Sequence, residues 1–209
     1  MRHDKATMNW QRQNLAILGI LLPILSVATG FFAYDKNGPE FWYSISATFY
    51  ATSNIFMIGV LSIFAFFLWT YKGYDIGDSI NCKFSALMCI GILVFPCNCL
   101  AAGETTGLFN LPTNISNVIH CVIAAFLFGS FAYMIGMRFT KSSGPMTDRK
   151  HKRNVLYTIC AFVILFVMEV QIITSLCEIR WMTIVNETIM LWVFSFAWGV
   201  KAGKFLADK

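Results

Sequence analysis

Six apolar runs, each long enough to cross a bilayer as a helix, occupy this chain almost end to end. A hydrocarbon core of about 30 Å takes roughly 20 helical residues. The runs fall at 15–34, 49–71, 84–100, 118–139, 155–175 and 187–205. Turn formers separate them: Asn37-Gly38-Pro39, Gly73, Gly103 with Pro112, Gly144-Pro145, and the polar stretch 177–186. Lipid offers no partner for a backbone N–H or C=O, so each run must satisfy its own backbone as a helix. The expected fold is all-α: a polytopic membrane protein, a six-transmembrane-helix bundle forming one domain over residues 1–209. Composition agrees, with 57% hydrophobic and 13% charged residues, where soluble domains hold roughly 45–50% and about 25%.

Charge gives the expected orientation. Lys and Arg number three before the first run, then one, two, none, six, one, and three at the end. Fourteen of the sixteen therefore lie on one side, and the positive-inside rule makes that side cytoplasmic. Both termini are expected inside, with residues 138–153 as the main anchor, in a membrane read as a bacterial plasma membrane. The net charge of +5 follows from these loops, so no nucleic-acid partner is expected, and membrane lipids are. Trp10, Trp42, Trp69 and Trp181 near run ends fit an interfacial belt. The first run is too long for a signal-peptide core and lacks a small-residue cleavage site, so it reads as a retained helix. On the fourth run, Ala125, Gly129, Ala132 and Gly136 form a small-residue stripe. It suits close packing within the bundle or, alternatively, a homo-oligomer seam.

Ionisable and polar groups inside a membrane are costly, so they mark candidate sites. On this topology most of them gather in the outer half. Ser46, Tyr50, Ser53 and Asn54 share one face of the second helix by their spacing. His120 opens the fourth helix, Glu187 opens the sixth, and Glu104 follows the third. Glu169 lies deeper, within the fifth helix, and is the foremost candidate because neither capping nor an interfacial role suits its depth. Gln171 sits about 200° around the helix from it, so the two cannot face one point. Together these groups suit ligand binding or proton transfer in a polar cavity open to the outer side.

Cys97, Cys99, Cys121 and Cys177 map to the same side. Cys97, Cys99 and Cys121 with His120 have the donor types of a soft-metal site. A redox pair and a plain disulfide are the alternatives. Cys-x-Cys is a weak metal signal, and no cofactor or metal is expected. The sequons Asn114-Ile115-Ser116 and Asn186-Glu187-Thr188 also fall on outer loops. The chain has no Gly-rich phosphate loop, His-Glu-x-x-His, Gly-x-Ser-x-Gly or EF-hand pattern. Its histidines, His3, His120 and His151, exclude a multi-histidine zinc site in the membrane.

Tyr43-Ser44-Ile45-Ser46-Ala47, Tyr71-Lys72-Gly73-Tyr74-Asp75, Phe95-Pro96, His120, and Glu187 with Trp192 carry a resemblance. On these residues the chain resembles a group of small uncharacterised polytopic bacterial membrane proteins, over most of its length after the first helix. The resemblance implies the fold and no activity. More remotely, a Ser and a His in a helical bundle are similar to the intramembrane hydrolases that include alkaline ceramidases. Two of that superfamily's three zinc-binding histidines have no counterpart here. The function expected is binding or translocation of a small solute, ion or lipid through the outer cavity. An intramembrane enzyme acting on a lipid or carrier-linked substrate, and a sensor or accessory subunit, are the other two classes.

Overall fold

A computed structural model describes residues 2–32, 40–51, 54–101, 103–141, 144 and 146–203. Among these residues the regular structure is helical apart from one short two-stranded antiparallel pair, and irregular segments join the helices. Helix α1 spans Arg2–Phe32, α2 Asn54–Thr70, α3 Ile76–Val94, α4 Thr113–Tyr133, α5 Asp148–Leu176 and α6 Met182–Lys201. A 3-10 helix, Ser46–Tyr50, precedes α2, and a π-helical turn, Met134–Arg138, continues α4. Strands β1 (Thr105–Thr106) and β2 (Leu111–Pro112) pair antiparallel between α3 and α4. Five helices are long and apolar enough to cross a membrane. The exception is α2, whose 17 residues reach about 25 Å.

The helices close into a ring. Each packs on the next in sequence, and α6 returns to α1. Phe64 of α2, Phe131 of α4 and Phe194 and Trp198 of α6 fill the middle, with the Phe131 and Phe194 rings 4.1 Å apart. All four side chains are buried. The centre is thus a solid aromatic core and not a pore. Helix α1 approaches α6 closely at Gly19: a Cβ there would lie 2.3 Å from Ser195 Oγ and 3.5 Å from the Leu191 carbonyl. Gly19→Val is therefore expected to push the two helices apart and cost about 1.5 kcal/mol, read as a lower Tm in detergent.

The boundaries differ from the sequence expectation in ways that local chemistry explains. The second run is two pieces, because Ala51 is extended (φ −72°, ψ 153°) between the 3-10 helix and α2. Ser46, Tyr50 and Asn54 consequently do not share a helix face, and Ser53 lies outside the described residues. Helix α3 starts eight residues earlier than hydropathy suggests. The Asp75 carboxylate caps it by accepting from Asp78 N–H at 3.1 Å, and Gly73 supplies the positive φ (+65°) of the approach. Thr147 caps α5 in the same way through Lys150 N–H at 3.1 Å. Glu187 and His120 accordingly sit in the second turn of α6 and the second turn of α4, not at their first residues. Half of the small-residue stripe is internal packing: Ala132 is buried, and a Cβ on Gly136 would lie 3.0 Å from that of Ala161 on α5. Ala125 is exposed, and nothing lies within 4 Å of a Cβ on Gly129. Helices α4 and α5 close at one end of the stripe and part at the other.

Candidate functional site

The end of the bundle where α4 and α6 begin is built around an irregular loop, and side chains from three directions hold its backbone. Pro96 ends α3 and leaves a run of carbonyls without helical partners. Four consecutive ones accept side-chain hydrogen bonds. His120 Nδ1 lies 2.8 Å from Phe95 O, and Ser116 Oγ donates to Pro96 O at 2.8 Å. The Tyr50 hydroxyl donates to Cys97 O at 2.7 Å, and the Tyr43 hydroxyl to Asn98 O at 2.6 Å. Burial pushes the Tyr43 phenol well above its ordinary value, which keeps it a donor.

Glu187 binds the other loop of this end. Its carboxylate accepts from Ile45 N–H at 2.6 Å, from Ser44 Oγ at 3.0 Å, and from Ser46 Oγ at 3.4 Å. Ser44 in turn accepts from Ser46 N–H at 3.1 Å, and Tyr43 O accepts from Ile184 N–H of α6 at 2.8 Å. The segment Tyr43-Ser44-Ile45-Ser46 is thus wrapped on the start of α6, with one carboxylate collecting its donors. Charge-assisted bonds of this kind are the strong ones. Alongside, Gln171 of α5 donates to Ser175 and Thr183, each at 3.0 Å, and accepts from Asn186 at 2.9 Å. That bond and 2% exposure place the Asn186 sequon inside the bundle.

Between these two walls lies a cavity of about 960 Å³, at the top of the roughly 300–1,000 Å³ range of small-molecule sites. Glu187, His120, Gln171 and Thr183 line its polar side. Phe128, Met168 and Met190 line its floor. From His120 to Phe128 the α4 wall descends about 12 Å. Cys121 and Ala125 of α4 and Ile172 and Leu176 of α5 also line the cavity and are exposed, the last two at 61% and 79%. Glu40, Glu178 and Arg180 stand at the upper mouth, with the Arg180 guanidinium 4.3 Å from the Tyr43 ring centre.

The structure thus brings together Glu187, His120 and Ser46, the first two on the cavity wall and the third on the Glu187 carboxylate. Tyr50 holds the loop from behind, also 2.9 Å from Thr106 Oγ1. Asn54 starts α2 and lines no part of the cavity. Glu104 is exposed on the β-turn, its carbonyl accepting from Thr113 N–H at 3.1 Å. Glu169 is exposed on the outward face of α5, away from the cavity. It is Gln171, on the opposite face, that points inward. Sequence reasoning also passed over Ser44 and Thr183, whose hydroxyls are ordinary in composition and gain meaning only from the partners they meet.

The cysteines do not form a metal site among the described residues, where no group of three or more His, Cys, Asp or Glu is close enough to hold an ion. All seven thiols are free. Burial pushes the Cys97 and Cys99 thiols up, away from the thiolate that metal binding and exchange require. Cys99 Sγ donates instead to Glu40 O at 2.9 Å. Compared with protein-family models, with curated proteins and with solved structures, the chain matches none of them.

Proposed function

We propose that this chain is a six-span membrane protein with both ends in the cytoplasm, and that its non-cytoplasmic cavity binds a lipid-like amphiphile entering sideways between α4 and α5. The polar head lies against Glu187, Gln171, Thr183 and His120. The apolar part lies along Phe128, Met168 and Met190. One observation carries the reading: a single cavity joins the Glu187 cluster to exposed residues of both α4 and α5, which we read as a lateral opening between the two helices. A water-soluble solute needs no such side door, whereas a molecule dissolved in the bilayer does. The six-span topology is supported by the charge alternation and by the 3-10 helix, which extends the short α2 toward the same level as its neighbours. Binding is favoured over translocation because the aromatic core of Phe64, Phe131, Phe194 and Trp198 closes the bundle beneath the cavity.

A diazirine-bearing long-chain amphiphile, photoactivated with the protein in micelles and mapped by mass spectrometry, tests this. Adducts concentrated on 121–128 and 168–176 are expected. Adducts spread evenly over all outward faces would remove the proposal. Ala125→Trp places an indole in the opening, where the alanine is exposed and unpacked. It is expected to weaken amphiphile binding about tenfold (about 1.4 kcal/mol) and to leave Tm nearly unchanged.

A further inference from the structure

At the opposite end of the bundle, a buried and a half-buried basic side chain meet no carboxylate among the described residues. Arg12 of α1 is 2% exposed. Its Nε donates to the Tyr71 hydroxyl at 2.9 Å, and its Nη1 to Asn9 Oδ1 at 3.0 Å and the Tyr74 hydroxyl at 3.4 Å. Its Nη2 is buried with no hydrogen-bond partner among the described residues. Lys201, the last residue of α6, donates to Phe139 O at 3.0 Å. Both cations lie over the Tyr74 ring, at 4.9 and 5.2 Å from its centre. The nearby acidic groups are already engaged, Asp75 and Asp78 both by Arg138. Among the described residues no ion pair reaches Arg12 or Lys201.

Among the described residues this buried guanidinium and half-buried ammonium are held by neutral oxygens and rings, which leaves positive charge that an anion would balance. A guanidinium edge left unpaired, beside an ammonium, matches a phosphate in charge and in its several acceptor oxygens. Tyr74, whose ring lies against both side chains, is 66% exposed and sits in the irregular segment before α3, so this side of the cluster borders solvent. On the six-span topology proposed above, the helix ends at this level fall in the headgroup region. We propose that Arg12 and Lys201, roofed by Tyr74, form an anion site that takes a phosphate group, from a lipid headgroup or free in solution. The inference is independent of the cavity at the other end.

The test uses the full chain in maltoside micelles, which carry no phosphate. One arm adds inorganic phosphate against chloride at equal ionic strength, and the other adds phosphatidic acid to the micelles. Near-saturating ligand is expected to raise Tm by about 5 °C in at least one arm. A rise with phosphatidic acid alone identifies the headgroup, and a rise with inorganic phosphate identifies the free ion. Lys201→Met is expected to abolish the rise, and so is Arg12→Gln. If Arg12→Gln does not fold, Lys201→Met at the helix end decides alone. No rise in either arm, or an equal rise in Lys201→Met, overturns the proposal.

Discussion

Glu187→Ala is expected to lower stability by about 2 kcal/mol and amphiphile affinity about a hundredfold, the largest combined loss of any single change at the cavity. The carboxylate is the common acceptor of Ile45 N–H and the Ser44 and Ser46 hydroxyls. Removing it leaves a backbone donor and two hydroxyls without their acceptor and releases the 43–46 segment from α6. Cavity water can satisfy the hydroxyls in part, which keeps the cost near 2 kcal/mol rather than above it. Glu187→Gln keeps the shape and one oxygen but turns an amide NH2 toward donors. It should fall between wild type and Ala in both Tm and affinity. A Gln variant as damaged as Ala in Tm would mean that charge matters more than hydrogen-bond count. An Ala variant with unchanged Tm would show that the segment is held by something else.

Arg138→Met is expected to cost about 3 kcal/mol. The π-helical turn carries Arg138 round to the start of α3, where Nε donates to Asp78 Oδ1 at 2.8 Å and Nη2 pairs with Asp75. The Arg138 and Asp78 side chains are both 9% exposed. Methionine fills the volume and strands Asp78 as an uncompensated enclosed carboxylate. Asp78→Asn in the same background should recover part of the loss, which a purely steric effect would not allow. A pH dependence accompanies this cluster. The Asp78 N–H, then the Arg138 and Lys141 charges, hold the Asp75 carboxyl below the usual carboxylate range. A lowered folded value contributes stability above the unfolded value and loses it as pH falls through the folded value. Wild type should therefore lose Tm on acidification below the ordinary carboxylate range. Asp75→Asn should lose less over the same interval.

The helices were legible because length and hydropathy are properties of single segments. Their ends were not, since hydropathy averages ignore caps: Asp75 and Thr147 begin helices inside stretches that read as polar loops. The break at Ala51 was equally hard to read, since Thr52-Ser53-Asn54 after it fit a polar stripe on a continuous helix as well as they fit an interruption. Glu187 and His120 could be found because a charge or an imidazole in an apolar run stands out. The same reasoning favoured Glu169 and set Gln171 aside, although the inward face of α5 belongs to Gln171. Which way a helix turns in a bundle depends on all its neighbours, and no single periodicity settled it here. Residues 43–47 meet Glu187 at one end of the bundle, and residues 71–75 meet Arg12 at the other. That division needed the fold.

Occupancy of the cavity by an amphiphile is tested most directly by native mass spectrometry of protein extracted gently from its own membrane. Wild type should carry one amphiphile per chain into the gas phase, and Ala125→Trp should arrive without it. A wild-type chain that arrives bare, or an Ala125→Trp chain that retains the same adduct, would contradict the account.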